Sequence, residues 1–114
     1  MRHGVRHVLE TQDDWKVVGE ASDGREAIQL NRQLKPDAIV MDITMPVMNG
    51  LDATIEIVKT NPDCKVLILT MHEGPAFCES IERSGAKGMV TKSRAMDELT
   101  PALKTIIAGK TYFR

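Results

Sequence analysis

Three residues of different chemical type close three apolar runs of this sequence. Asp42 ends Asp37-Ala38-Ile39-Val40-Met41-Asp42, Thr70 ends Lys65-Val66-Leu67-Ile68-Leu69-Thr70, and Lys92 follows Met89-Val90-Thr91. A carboxylate, a hydroxyl and an ammonium gathered in one place suit phosphoryl transfer. The carboxylate can attack phosphorus and form an acyl phosphate. The transferred group carries charge on its equatorial oxygens, so a hydrogen-bond donor and a cation stabilise it, roles open to Thr70 and Lys92. Lysine serves there as a point charge rather than a planar fork. Mg²⁺ normally neutralises the remainder, held by few protein groups and several waters. Taken singly, each residue has a plainer use: a cap or turn former, a β-former, a solvated loop charge. Only the triple, at the ends of successive runs, points to a phosphate-handling site.

The runs that must position these residues show little polar alternation, as strands buried on both faces do. Segments of helical period separate them. Ser22 or Asp23 can cap a helix whose inward face carries Ala27, Ile28 and Leu34, and Pro36 stops it. Thr44 to Gly50 is a loop marked by Pro46 and Asn49-Gly50, after which Leu51, Ile55 and Val58 recur at helical spacing. A helix from about Pro75 to Ser84 has proline at its start and Gly85 just past its end. Leu99, Leu103, Ile106 and Ile107 form the stripe of a last helix that stops near Gly109. With Asp97 as its cap, Pro101 falls in the first turn, where no backbone donor is required. Earlier in the chain, Val5, Val8 and Leu9 share a helical face, and Trp15 to Ala21 reads as a further strand. Strands alternating with helices of this length give a parallel sheet with helices on both faces. Right-handed crossovers then place ligand chemistry at the carboxyl ends of the strands, where Asp42, Thr70 and Lys92 stand.

The 114 residues make one domain. With 15 basic and 16 acidic residues the net charge is -1, so these residues carry no basic footprint for nucleic acid. No apolar run approaches the roughly 18 residues needed to span a membrane. The basic start, Met1 to His7, has no apolar stretch after it and is not a secretory signal, so a cytoplasmic location is expected. Cys64 and Cys78 fit neither a zinc spacing nor a CxxC motif and read as two reduced thiols, with a lone disulfide as the alternative. His3 and His7 lie four apart but lack a third metal ligand.

The segment Val40-Met41-Asp42-Ile43-Thr44-Met45-Pro46-Val47-Met48-Asn49-Gly50 resembles the phosphorylation-site signature of response-regulator receiver domains. Val66-Leu67-Ile68-Leu69-Thr70-Met71-His72-Glu73 resembles the strand that ends in that family's switch Thr or Ser, and Gly85-Ala86-Lys87-Gly88-Met89-Val90-Thr91-Lys92 the stretch that ends in its lysine. Val17 to Gly24 and Ile107-Ala108-Gly109-Lys110 look like the NarL/FixJ subfamily, whose receivers precede a helix-turn-helix output domain. The resemblance covers nearly the whole chain as a single receiver domain, residues 1–114. It implies a flavodoxin-like, doubly wound parallel sheet of strand order 2-1-3-4-5. It makes Asp42 the phospho-acceptor, charged by a partner histidine kinase, with Thr70 following the phosphoryl group and Lys92 binding it. It gives Mg²⁺ to Asp42 and the backbone carbonyl of Thr44, and makes Thr44 and His72 positions that tune dephosphorylation; an exposed loop imidazole is the equal alternative for His72. It implies a homodimer, a signalling role rather than turnover catalysis, and no direct nucleic-acid contact by these residues.

The sequence departs from the pattern in three places. Receivers begin with an apolar strand ending in an acidic pair that holds the metal; here that strand and pair are missing, so Mg²⁺ binding is expected to be weak and phosphorylation slow. Asp13-Asp14 does not replace the pair, because it falls at the opposite end of the sheet from Asp42. Losing a central strand would forfeit on the order of 8 kcal/mol of burial, comparable to a domain's whole stability of about 5–15 kcal/mol. Either the sequence is a piece of a longer chain, the preferred reading, or two strand edges close on each other or are filled by a partner. Secondly, Met89 stands where the family often has an aromatic switch residue; a thioether fits either of two packings. Thirdly, Ser93 follows the lysine where many receivers have proline. Met45, Met48, Met71 and Met89 fall near the expected site, as gap-filling residues or an adaptable surface. The rival reading is a degenerate receiver that binds partners without phosphorylation. A phosphatase with an aspartyl nucleophile would want a second Asp where Thr44 stands.

Overall fold

Asp23 starts a helix by the means its side chain allows. Its backbone is extended, and Oδ1 accepts the Glu26 amide at 2.9 Å, satisfying one orphan donor of α1 (Gly24–Leu34). The helix stops at Lys35, which sits in the left-handed region at φ 45 and donates its amide to the Asn31 carbonyl. The structure, a computed structural model, describes residues 9–10, 15, 23–42, 50–71 and 75–113. After α1 come β1 (Ala38–Asp42), α2 (Gly50–Thr60), β2 (Lys65–Thr70), α3 (Pro75–Arg83), β3 (Gly88–Thr91), a 3₁₀ turn over Lys92–Arg94, and α4 (Ala95–Ile107).

The three strands form one parallel sheet in the order β1-β2-β3, with Asp42 opposite Leu69 and Thr70 opposite Thr91. The fold is the expected flavodoxin-like α/β sheet, open and flanked by helices. Pleating sends alternate side chains to opposite faces. Met41, Val66, Ile68 and Met89 pack with Ala27 of α1, Ala53 and Ile57 of α2 and Ile81 of α3. Leu67, Leu69 and Val90 pack with Leu99, Leu103 and Ile106 of α4, joined by the half-buried Leu9, Trp15 and Val40. β2 is buried from Val66 to Thr70, whereas β1 is fully buried only at Met41. Among the described residues, no strand lies on the outer edge of β1.

Several local expectations need correction. On α1 it is Asn31, 2% exposed, that turns inward, while Leu34 is 43% exposed. Asn31 is held there by the Asn61 amide, which donates to its side-chain oxygen at 3.2 Å. On α2 the buried face is Ala53, Thr54 and Ile57, and Ile55 is exposed. Helix α4 begins at Ala95 rather than after an Asp97 cap, because the 3₁₀ turn runs straight into it and buries Ala95 and Leu99. Pro101 therefore lies inside the helix and removes the amide that would have bonded the Asp97 carbonyl. Ile107 of the expected stripe is exposed, and Ala102 is buried in its place. Gly85 and Gly109 do end their helices, at φ 97 and 92. The expected strand at Trp15 to Ala21 is outside the described residues except for Trp15, as are His3, His7, Asp13, Asp14, Met45 and Met48.

Candidate functional site

Lys92 reaches across the sheet to Asp42. Its Nζ lies 2.9 Å from Asp42 Oδ2, with both side chains mostly shielded from solvent. β1 and β3 are separated by β2, a distance on the order of 10 Å between strand axes. The four-carbon stem of Lys92 spans that gap over the carboxyl end of β2. Thr70, fully buried, is the residue at which β2 ends. The rim therefore holds all three sequence-flagged residues, at the carboxyl ends of three adjacent strands.

They do not share one pleat face. By alternation Asp42 continues the face of Val40, and Lys92 that of Val90, toward α4. Thr70 continues the face of Ile68 and Val66, toward α2 and α3. The acid and the base meet directly, and Thr70 closes the strand between them. Met89 is buried on the Thr70 side, across Ile68 from Met41, and Met71 projects into solvent at 72% exposure. Met71, Thr91, Lys92 and Ser93 line a shallow open depression beside the pair, and the Thr91 and Ser93 hydroxyls stand 3.5 Å apart within it.

Thr44 and His72 lie outside the described residues. Among the described residues, no three His, Cys, Asp or Glu side chains come together in a way that could hold a metal ion. Asp42, already engaged by Lys92, brings a single carboxylate, and the described donors alone fall short of a Mg²⁺ site. Cys64 and Cys78 are free thiols; burial pushes the Cys64 thiol from its usual 9.0 up to about 11. No helix among the described residues is long and apolar enough to cross a membrane.

An open parallel sheet flanked by helices, with a carboxylate and an ammonium joined over its carboxyl rim, defines a flavodoxin-like α/β domain. Residues 1–104 match the family model of the response regulator receiver domain, and the chain belongs to that family. It is 42% identical over 113 residues to the oxygen regulatory protein NreC of Staphylococcus carnosus, covering 98% of this chain and 52% of that protein. It is 35% identical over 111 residues to the transcriptional regulatory protein DegU of Brevibacillus brevis, covering 97% of this chain and 47% of the relative. A crystal structure of a LuxR-family two-component response regulator from Aurantimonas sp. superposes with a TM-score of 0.92 at 40% identity, covering 97% of this chain and 79% of that one. The chain spans about half the length of the curated relatives it matches.

One contact near the start of α4 was not legible in the sequence. Glu98 and Tyr112, neither singled out by a motif, are joined by a hydrogen bond of 2.9 Å. The available signal was Tyr112 itself, the one tyrosine of the chain, placed just past the end of the last helix.

Proposed function

We propose that Asp42 accepts a phosphoryl group from a partner histidine kinase and that the acyl phosphate switches a downstream output. The observation that carries this reading is the 2.9 Å ion pair between Lys92 and Asp42 over the end of β2. One Asp42 oxygen forms a bond to phosphorus as the donor's P–N bond breaks, and the leaving imidazole keeps the electron pair and takes a proton. With a small acyl phosphate the bond broken is P–O, and a carboxylate leaves. Lys92, which holds Asp42 in the resting state, pairs with a phosphoryl oxygen afterwards. Thr70 donates its hydroxyl to a second oxygen, which requires the buried end of β2 to adjust and so carries the event into the core. Thr44 and His72 tune the lifetime of the adduct, and Met89 sets how sharply the change is two-state. The domain signals and does not turn over substrate. In the intact protein its output is a helix-turn-helix domain acting in transcription in the cytoplasm, with pairing of two copies as part of the response.

Incubation with acetyl phosphate and Mg²⁺, read by intact mass, tests the proposal. One phosphoryl adduct is expected on the native chain and none on Asp42→Asn. An adduct of equal yield in both would remove Asp42 from the role; absence from both would favour a module that works by binding alone.

A further inference from the structure

Two hydrogen bonds lay the end of the chain along the outer edge of β3. The Tyr112 amide donates to the Lys87 carbonyl at 2.8 Å, and the Tyr112 carbonyl accepts the Met89 amide at 3.0 Å. This makes a parallel bridge opposite Gly88. Glycine permits the approach: a Cβ on residue 88 would sit 2.9 Å from the Tyr112 carbonyl oxygen and 3.0 Å from its Cβ. The two side chains straddle the sheet, Tyr112 against the α4 cluster and Phe113 against the opposite one. The Tyr112 hydroxyl then donates to Glu98 Oε1 at 2.9 Å.

That hydroxyl is connected to the rim. Glu98 lies near the start of α4, and α4 continues directly from the Lys92–Arg94 turn. Glu98 Oε2 also faces Arg94 at 3.7 Å, but the Arg94 side chain is 66% exposed, so this pair is the weaker link. The stiffer link is the backbone of the turn itself, with Lys92 at one end and Glu98 one helical turn beyond the other. The strand that holds the Tyr112 backbone is the strand that delivers Lys92.

We infer that Tyr112 is a latch: it pins the exit of the chain to the β3 edge while Lys92 pairs with Asp42, and lets go when a phosphoryl group draws Lys92 away. The inference rests on the reading of Asp42 as phospho-acceptor. Movement of Lys92 carries the turn and the start of α4, and Glu98 leaves the Tyr112 hydroxyl. The segment then keeps its edge bonds at Lys87 and Met89 but has lost the hydroxyl tie to α4. Release frees the stretch of chain through which a following domain would be tethered. Linkage makes the coupling reciprocal, so loosening the latch favours the phosphorylated state by the same factor.

Because Tyr112 is the only tyrosine, 3-fluorotyrosine labelling of the full chain gives one ¹⁹F resonance. With acetyl phosphate and Mg²⁺, the resonance is expected to move toward its position in urea in proportion to the adduct seen by mass. An adduct with an unmoved resonance overturns the latch. Lys92→Met and Asp42→Asn each break the pair without phosphorylation and are expected to shift the same resonance. If both fold, as judged by circular dichroism, and neither moves it, the latch fails whatever becomes of the Asp42 reading. Tyr112→Phe should tighten the binding of beryllofluoride, a mimic of the phosphoryl group on Asp42, about fivefold; an unchanged affinity also contradicts the coupling.

Discussion

The strands that deliver the two charges of the rim are held in opposite ways. β3, which delivers Lys92, is buried from Gly88 to Val90, with β2 on one edge and Tyr112 on the other. β1, which delivers Asp42, is fully buried only at Met41 and pairs with β2 alone among the described residues. The base is thus positioned by a strand fixed on both sides. Among the described residues, the acid is positioned by one ladder and by the lysine that reaches over to it. The middle strand, buried from Val66 to Thr70, carries most of the packing, and the two charges stand at the ends of its neighbours.

The largest expected effect lies in that middle strand. Ile68→Ala, at a site with no exposure, should cost about 2–5 kcal/mol in urea unfolding. Ile39→Ala in half-buried β1 should cost no more than half as much, and equal losses would break the contrast between the strands. At the rim, Lys92→Met should slow phosphorylation by acetyl phosphate about a hundredfold, the usual consequence of removing one charge-stabilising group. A rate within threefold of native, on the order of 0.6 kcal/mol, would take Lys92 out of the chemistry. Thr70→Val keeps the shape and removes one neutral hydrogen bond of about 1 kcal/mol, so a loss of roughly fivefold in adduct formation is expected.

How far the sequence led can be judged from particular residues. The strand ends at Asp42 and Thr70 were legible because both runs are nearly continuous in apolar residues, which only a strand covered on two faces tolerates. Asp23, Gly85 and Gly109 were legible because capping and left-handed backbone are local chemistry. The inward turn of Asn31 was not, because its burial is met by Asn61, distant in sequence. The start of α4 was missed because a 3₁₀ turn carries no capping signal and shifts the frame in which Pro101 was read. The pairing of Tyr112 with Gly88 joins a sheet edge to the segment after α4, and is fixed only once β3 is in place.

A smaller effect sharpens the picture of the core beneath β1. The Cys64 thiol is raised to about 11 by burial, so the folded chain keeps its proton where the unfolded chain loses it. This contribution to stability is complete below about pH 9 and disappears as pH rises toward 11. Urea midpoints measured across that window should fall more steeply for the native chain than for Cys64→Ala; parallel slopes would mean that the thiol is not shielded.

The most direct measurement is to trap the acyl phosphate where it forms. Borohydride reduces an aspartyl phosphate to homoserine with loss of phosphate, leaving a permanent mark on one residue. After acetyl phosphate treatment, peptide mapping is expected to find homoserine at position 42 and at no other aspartate. Homoserine elsewhere with position 42 unmodified would contradict the assignment of this rim as the phosphoryl-accepting site.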